Sequence, residues 1–277
     1  MSVAMVTVTN LSDNRAAYGL EAEHGLALWI EADEQNILFD TGYGEVLPRN
    51  VTALGIDAGR ANAVALSHGH YDHTGNVRWA LENATDATLY LHPSALESRY
   101  SIHETPKQIG MPKASVEAAR KLPEARRCWV STPTALSPHV WLTGSVPRET
   151  AYEDTGGPFF WDKAGTQTDQ ISDDLSLWIQ TRAGLVICLG CCHAGVINTL
   201  QYIIQQSQDD RIIAIIGGMH LLHASKERLE RTTQALKAYK IPHVFPCHCT
   251  GEAACNHLVE CLGSAVQLGY AGLKVTF

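Results

Sequence analysis

The sequence has no apolar run approaching the roughly 20 residues that a bilayer-spanning helix requires. Basic residues are in the minority, with 21 Lys and Arg against 29 Asp and Glu, and Pro123 and Glu124 interrupt the richest basic stretch, residues 120–127. The first five residues lack the charged segment of a secretory signal. These absences argue against a membrane protein and a nucleic-acid-binding protein, and we expect a cytoplasmic protein.

Eight cysteines are present, but a cytoplasmic chain ordinarily keeps them reduced, so a disulfide framework is not expected. The spacings Cys188-x-x-Cys191 and Cys247-x-Cys249 raise a cysteine-ligated zinc site as an alternative. Against it, Cys188 lies in an apolar run, where a small buried thiol is the ordinary explanation. In an extended chain, Cys247 and Cys249 would point away from the side that His248 faces.

The segment S-H-G-H-Y-D-H at 67–73 places three imidazoles and a carboxylate directly after an apolar run. A strand that ends there presents His68 and His70 at i, i+2, so their rings can converge on one cation while Asp72 and His73 face a second. Nitrogen and oxygen donors suit Zn²⁺, Fe²⁺ or Mn²⁺ and favour a catalytic site. Gly69 has no Cβ and lets the loop coil tightly. The alternative is a polar loop with chance histidines.

The pattern H-x-H-x-D-H after a strand resembles the signature of the metallo-β-lactamase superfamily. Three other segments resemble further motifs of that family in the right order: L-F-D-T-G at 38–42, C-C-H-A-G at 191–195 and P-C-H-C-T-G at 246–251. Longer strings such as S-H-G-H-Y-D-H-T-G-N and I-G-G-M-H-L are similar to the subgroup of dihydropterin–ribofuranosylaminobenzene-phosphate synthases. The resemblance covers most of the chain.

The resemblance implies a mixed α/β fold, a four-layer αββα sandwich that forms one domain over residues 1–277. Apolar and β-branched runs predict strands at 6–8, 27–30, 36–39, 61–66, 88–91 and 140–142, and again at 175–181, 185–190, 211–216 and 243–246. Helical spacing predicts helices at 196–206 and 225–239. Residues 93–135, with five prolines, predict an insertion that acts as a lid over the site.

The family pattern implies two metal positions with three ligands each: His68, His70 and His193 at the first, and Asp72, His73 and His248 at the second. Asp40 would orient a ligand imidazole, although it can also serve only as a turn residue. The implied cofactor is one or two divalent transition metals, with Zn²⁺ favoured and Mn²⁺ or Fe²⁺ as alternatives. Asp72 is also expected to take part in catalysis.

The fourth motif departs from the family pattern. Many dinuclear relatives have a bridging aspartate there, but this chain reads G-G-M-H at 217–220. An imidazole nitrogen has one lone pair and cannot bridge two ions. The second ion would therefore bind weakly, or His220 would be a catalytic residue, as a terminal ligand or a donor to substrate; a hydrogen-bonded loop residue is the alternative. Asp173 and Asp174 are candidate replacements for the carboxylate, with a turn role as the other explanation.

Bound metals polarise an oxygen and activate water, so hydrolysis of a phosphoester, lactone or thioester is the generic expectation. For the synthase subgroup, the resemblance implies instead that the metals stabilise a departing diphosphate while a carbon nucleophile attacks the pterin methylene. The ligand set does not distinguish these reactions. We expect a metal-dependent hydrolase or synthase-type transferase that acts on a small anionic, phosphorylated molecule, with no nucleic-acid or membrane partner.

Basic side chains in the presumed lid and nearby loops are candidate phosphate contacts, with a plain surface charge as the alternative for each: Arg99, Lys107, Lys113 and Arg148. A diiron redox enzyme is disfavoured because His70 stands where its first motif needs a carboxylate, and we expect no room for a redox partner domain. A non-catalytic metal-binding protein is disfavoured because the six implied ligands are intact. The sequence leaves the oligomeric state open.

Overall fold

The computed structural model describes residue 3 and residues 5–277 of the chain. The prediction that the first five residues form no secretory signal includes residues 1, 2 and 4, which lie outside the described residues. In the strand at Ala27–Ala32, Leu28 and Ile30 face one side of the sheet, Ala27 and Trp29 face the other, and all four are buried. A strand that is buried on both faces must lie between two other layers.

In chain order, the strands of the described residues are β1 (Val6–Ser12), β2 (Ala27–Ala32), β3 (Gln35–Phe39), β4 (Ala63–Ala65), β5 (Thr88–Leu91), β6 (Tyr100–Ile102), β7 (Pro106–Gln108), β8 (Arg127–Trp129), β9 (Thr134–Ala135), β10 (Val140–Leu142), β11 (Phe159–Phe160), β12 (Ser176–Gln180), β13 (Leu185–Leu189), β14 (Ile212–Gly218), β15 (His243–Cys247) and β16 (Lys274–Thr276). The helices are α1 (Val46–Ala53), α2 (Tyr71–Thr74), α3 (Val77–Asn83), α4 (Lys113–Lys121), α5 (Val196–Ser207), α6 (Lys226–Tyr239) and α7 (Glu252–Leu262), with short 3-10 turns between them.

Two large sheets dominate the part of the chain that the structure describes. The first has the strand order β16-β1-β2-β3-β4-β5-β8, and the second has the order β15-β14-β13-β12-β10-β9. Strands β3, β4, β5 and β8 run parallel, as do β13, β14 and β15. The carboxyl ends of neighbouring parallel strands meet at one edge of their sheet, so the loops that follow them are brought together.

The layers follow from the alternation of apolar side chains along the strands. One core cluster joins inward residues of both sheets, such as Ile30 and Phe39 with Leu177 and Ile216. Helices α1, α3 and α4 bury their apolar faces against the outer side of the first sheet, and α5, α6 and α7 against the outer side of the second. The predicted mixed α/β fold with αββα layers is confirmed.

Each strand predicted from the sequence is present. Its bounds agree with the prediction within two residues except in β1, which continues four residues further, to Ser12. Strands β2 and β3 pair as a hairpin. The segment 93–135 is divided among several layers. Its helix α4 packs on the first sheet and β8 joins that sheet's edge, whereas β6 and β7 pair with β11 in a separate three-stranded sheet. Of this segment, residues 100–109 supply the side chains that line the cavity described below, and their role as a lid stays a prediction. Among the described residues, none of the helices combines the length and apolar character needed to cross a bilayer.

Candidate metal centre

Five loops converge at the carboxyl edge of the two sheets, and each carries at least one predicted site residue. Asp40 follows β3, His68 and His70 follow β4, and His193, His220 and His248 follow β13, β14 and β15. Four non-glycine residues of these loops adopt positive φ: Asp40 (63°), Cys192 (58°), His220 (47°) and His248 (45°). Such conformations cost about 1–3 kcal/mol each and are retained where surrounding structure fixes them, commonly at functional sites.

The predicted ligands of the first metal lie together. His68, His70 and His193 each offer a ring nitrogen within 4.8 Å of the other two, and Nε2 of His68 is 2.9 Å from Nδ1 of His70. All three rings are buried, and burial holds the pKa of each imidazole well below its ordinary value. The rings are therefore neutral, which is the form that binds a metal ion.

Hydrogen bonds at the back of the rings fix which nitrogen faces the centre. The hydroxyl of Ser67 donates to Asp40, so Ser67 accepts from Nδ1 of His68 at 2.9 Å. Nδ1 of His193 donates to the carbonyl of Thr155 at 2.8 Å. In each neutral ring the lone pair is then left on Nε2, and Nε2 of His193 is buried without a hydrogen-bond partner among the described residues.

The predicted ligands of the second metal are close together, but they do not form one compact group. Nε2 of His248 and Nε2 of His24 each lie 3.2 Å from Oδ2 of Asp72. Burial raises the pKa of Asp72, but the hydrogen bonds from His24 and His248 outweigh it, and the pKa lies well below its ordinary value. His73 instead faces Cys191, with Nε2 3.1 Å from Sγ. Its ring centroid is 5.0 Å from that of His248.

Asp40 lies behind the cluster and contacts both His73 and Ser67. Its Oδ2 accepts a hydrogen bond from Nδ1 of His73 at 2.6 Å, and its Oδ1 accepts from the backbone N–H of Ser67 at 2.7 Å. Burial alone would lower the pKa of His73, but the Asp40 carboxylate outweighs it and the pKa is raised. One carboxylate thus orients His73 directly and His68 through Ser67.

His220 borders the same cluster. Its ring centroid is 4.1 Å from that of His193, and its Nδ1 has no hydrogen-bond partner among the described residues. Gly156 backs against it so closely that a Cβ there would lie 1.9 Å from the ring. His220 is therefore held beside the first metal position and lines the cavity described below.

The prediction that Cys249 points away from the site is wrong. The chain is not extended at His248, whose φ of 45° starts a 3-10 turn over His248–Thr250. Cys249 therefore joins Cys191 and His248 in one group of possible ligand atoms. Cys188 is buried in the core between the sheets, as predicted.

The sequence analysis raised Cys191 only within a disfavoured cysteine-ligated zinc site and not as a neighbour of the histidine cluster, although a signal for that position exists. The spacing Cys191-x-His193 after β13 repeats the spacing His68-x-His70 after β4. Burial raises the pKa of the Cys191 thiol. Burial also acts to raise the pKa of Cys249, but hydrogen bonds with Cys191 and His220 lower it well below its ordinary value.

Asp173 and Asp174 do not act as exposed donors to the cluster. Asp173 forms a two-pronged ion pair with Arg99, at 3.0 Å for both contacts, and accepts from the N–H of Gly69. Asp174 accepts from the N–H of Ala194 at 2.8 Å. The two carboxylates therefore fix the backbone of the loops that carry His68, His70 and His193. Arg99 is fully buried in that ion pair and is excluded as a phosphate contact.

Gly69 is required for a reason other than the one predicted. A Cβ at this position would lie 2.4 Å from the carbonyl oxygen of Ala95. The 3-10 turn at Pro93–Leu96 therefore packs directly on the loop that carries His68 and His70.

A cavity of about 650 Å³ opens above the cluster. Lys107 lines it and lies over the ring of Tyr71, with Nζ 5.0 Å from the centroid. Other basic side chains that sequence reasoning did not single out also line the cavity: Arg15, His24, His103 and His223. The apolar wall includes Phe159, which packs against His70 and His193.

Two of the predicted phosphate contacts lie elsewhere, since neither is among the described residues that line this cavity. Lys113 begins α4, and its side chain is 91% exposed beside Glu117. Arg148 donates to the backbone carbonyls of His193 and Gln170. Its guanidinium therefore fixes the backbone of the loop that carries the predicted ligand His193.

The sequence profile of the metallo-beta-lactamase superfamily matches residues 20–197. A curated relative from Methanocaldococcus jannaschii, named 7,8-dihydropterin-6-methyl-4-(beta-D-ribofuranosyl)-aminobenzene-5'-phosphate synthase, is 28% identical over 98% of this chain and 97% of its own length. An uncharacterized protein of the same organism is 30% identical over 90% of this chain and 93% of its own length. The crystal structure of Tm1679, described as a metal-dependent hydrolase of the beta-lactamase superfamily, is 29% identical with a TM-score of 0.82 over 98% of each chain.

Proposed function

The chain belongs to the metallo-beta-lactamase superfamily, and we propose that it is an enzyme that holds divalent metal ions at the histidine cluster and acts on a small phosphorylated molecule. One observation carries the proposal: His68, His70 and His193 are buried and neutral, and their ring nitrogens converge beside a cavity that His70 lines and whose wall carries several basic side chains. Buried imidazole nitrogens without a partner need an ion or a proton to satisfy them.

The residues present fit a divalent transition metal. His68, His70 and His193 would hold one ion, and Asp72, His73 and His248 would surround a second, with Zn²⁺ favoured over Mn²⁺ and Fe²⁺. When bound, such ions polarise a phosphoryl oxygen, activate water and stabilise a leaving oxygen.

The chain's own groups orient these donors and can move protons. Asp40 holds His73 through Nδ1, which keeps the Nε2 lone pair turned toward the centre. Asp72 is an ionised carboxylate that lines the cavity, and it contacts Nε2 of His24, a side chain that is 56% exposed. Because its low pKa makes Asp72 a weak proton acceptor, we assign to Asp72 the orientation of the reacting oxygen and to its neighbour His24 the transfer of a proton to solvent. His220, beside His193, would contact the substrate.

The cavity supports a phosphorylated substrate. Its volume is typical of a site for a small molecule. Because the chain carries a formal charge of −8, an anion needs local positive charge to bind. Lys107 and Arg15 supply such charge at a cavity wall that also carries Asp13, Asp72 and Glu252. Residues 100–109 contribute Lys107 and His103 to this wall, and we propose that they cover the bound substrate.

We favour a synthase-type reaction because the relative matched over nearly the full length of both chains is named as a synthase of a dihydropterin linked to a ribofuranosylaminobenzene 5'-phosphate. Phe159 and Tyr71 give the cavity aromatic surface against which a ring can pack. The second candidate is a metallohydrolase of the phosphodiesterase or lactonase type, favoured by the hydrolase description of the similar solved structure.

Product analysis on three kinds of substrate separates these reactions. The metal-loaded protein is incubated with a dihydropterin diphosphate together with a ribofuranosylaminobenzene phosphate, with a phosphodiester alone, and with a neutral lactone. Diphosphate release that requires both partners supports the synthase reaction, and cleavage of the phosphodiester alone supports the hydrolase. Faster turnover of the lactone than of any phosphorylated compound contradicts the anionic substrate. No turnover of any kind with the metal bound would favour a non-catalytic metal-binding protein.

A further inference from the structure

Cys191 lies at the centre of the cluster, and none of the steps proposed above uses it. Its side chain is buried, and its Sγ belongs to three groups of possible ligand atoms, each with all atoms within 4.8 Å of one another. These groups combine Cys191 with His68 and His73, with His193 and His220, and with His248 and Cys249. No other described residue occurs in as many of these groups.

We propose that the Cys191 thiolate is a metal ligand shared by the two ion positions, an assignment that rests on the metal-dependent function proposed above. The neighbours of Sγ come from both positions: His68 and His193 belong to the first, and His73 and His248 to the second. Nε2 of His193 is buried without a hydrogen-bond partner among the described residues, and Nε2 of His248 is buried with Oδ2 of Asp72, another predicted ligand, at 3.2 Å. The nitrogens on both sides of the sulfur are therefore available to the same ions.

A shared sulfur would supply the bridging ligand that the fourth motif of this chain lacks. The loop after β14 carries His220 and no carboxylate, and an imidazole nitrogen has a single lone pair. A thiolate sulfur has three lone pairs and can bind two cations. On binding of the ions, the Cys191 thiol would lose its proton to solvent, and its sulfur lone pairs would hold the ions.

A sulfur ligand also narrows the choice of metal. Thiolates favour Zn²⁺ and iron, whereas Mn²⁺ prefers oxygen donors. With only the nitrogen and oxygen donors of the predicted ligand set, the site would discriminate less against Mn²⁺. We therefore infer that the native ion is one that accepts a thiolate, with Zn²⁺ the expected case.

The neighbouring cysteines provide controls. Cys192 has a φ of 58°, which turns its side chain away from the cluster, and its Sγ contacts the hydroxyl of Thr199 at 3.4 Å within the helix-side core. Cys249 is closer, with Sγ 3.6 Å from the backbone carbonyl oxygen of Cys191. Cys192→Ser is thus a matched control, and Cys249→Ser tests whether the other nearby thiol is the ligand.

The experiment is electronic spectroscopy of full-length protein loaded with Co²⁺ after removal of other metals. A thiolate bound to Co²⁺ gives an intense near-ultraviolet charge-transfer band, and imidazole and carboxylate ligands do not. We expect the band in wild type, Cys192→Ser and Cys249→Ser, and its loss in Cys191→Ser. We also expect Cys191→Ser to lose on the order of tenfold in its preference for Zn²⁺ over Mn²⁺ in competition titrations.

Four results would overturn the assignment. Bound Co²⁺ without the band in wild type overturns the shared thiolate and leaves the metal-dependent function standing, whereas failure to bind Co²⁺ at all overturns both. Loss of the band in Cys249→Ser with its retention in Cys191→Ser assigns the ligand to Cys249. An unchanged Zn²⁺ preference in a Cys191→Ser variant that has the wild-type circular dichroism spectrum also contradicts it. If Cys191→Ser does not fold, the wild-type spectrum together with Cys249→Ser decides the question.

Discussion

Oδ2 of Asp40 lies 2.6 Å from Nδ1 of His73, and neither side chain is exposed to solvent. The same carboxylate also accepts hydrogen bonds from the backbone and hydroxyl of Ser67. Because Ser67 in turn contacts Nδ1 of His68, Asp40 links the loop after β3 to a predicted ligand of each metal. The loops at the sheet edge therefore share one buried anion.

Asp40→Asn should weaken metal binding by about 10–100-fold, the usual effect of losing a carboxylate behind a ligand histidine. The amide keeps the shape of the side chain but removes the charge that orients His73. The affinity is measured by competition with a chelator, with exposed Asp86→Asn as the matched control. Equal affinity in Asp40→Asn and wild type would show that Asp40 is only a turn residue.

Asp174→Asn should change how the stability of the metal-free protein depends on pH. Burial raises the pKa of Asp174 to about 6, so the folded state holds this proton more tightly than the unfolded chain. The stabilisation is fully present below the unfolded pKa of 3.8 and is lost as pH rises through about 6. Urea unfolding with chelator present should show wild type losing up to about 3 kcal/mol relative to the variant over this range. Parallel pH profiles for the two proteins would refute the buried-proton account.

His220→Ala should leave the first metal ion bound and lower turnover at least about tenfold, which is about 1.4 kcal/mol of transition-state stabilisation. The reason is that His220 stands beside His193 and lines the cavity. Metal content and kcat are measured together, with His257→Ala on α7 as the control. Wild-type kcat at saturating metal would make His220 a structural loop residue.

Lys107→Ala should raise KM for phosphorylated substrates about tenfold, since a hydrogen bond to a charged group contributes about 1.5 kcal/mol. Inhibition by phosphate or pyrophosphate should weaken in the variant and should depend less on ionic strength than in wild type. Lys121→Ala, an exposed change on α4, is the control. If inhibition and its salt dependence are the same in all three proteins, Lys107 is only a surface charge.

Local sequence patterns predicted ten of the sixteen strands of the described residues and the order of the motifs, and they missed the short strands β6, β7, β8, β9, β11 and β16. The β2–β3 hairpin is an example, since its turn and its alternating apolar residues all lie within residues 27–39. The same holds for His68 and His70, whose i, i+2 spacing after β4 already places two ring nitrogens close together.

Local sequence patterns could not predict contacts between segments that are distant in the sequence. Arg99 and Asp173 are 74 residues apart, and nothing local shows that this arginine is buried in an ion pair. The backbone reversal at His248 was not foreseen either, because positive φ at a non-glycine residue depends on the surrounding packing. An extended backbone at His248 would direct Cys249 away from the cluster. The sequence alone also does not show that Cys191 lies between the two sets of predicted ligands.

Metal content measured on wild type and three variants tests the central claim most directly. Purified wild type should carry one or two transition-metal ions per chain that are removed by chelation, and His68→Ala and His193→Ala should each lose the tighter ion and all activity while His257→Ala retains both. Stoichiometric metal retained in both His68→Ala and His193→Ala would contradict the assignment of the metal centre to this cluster.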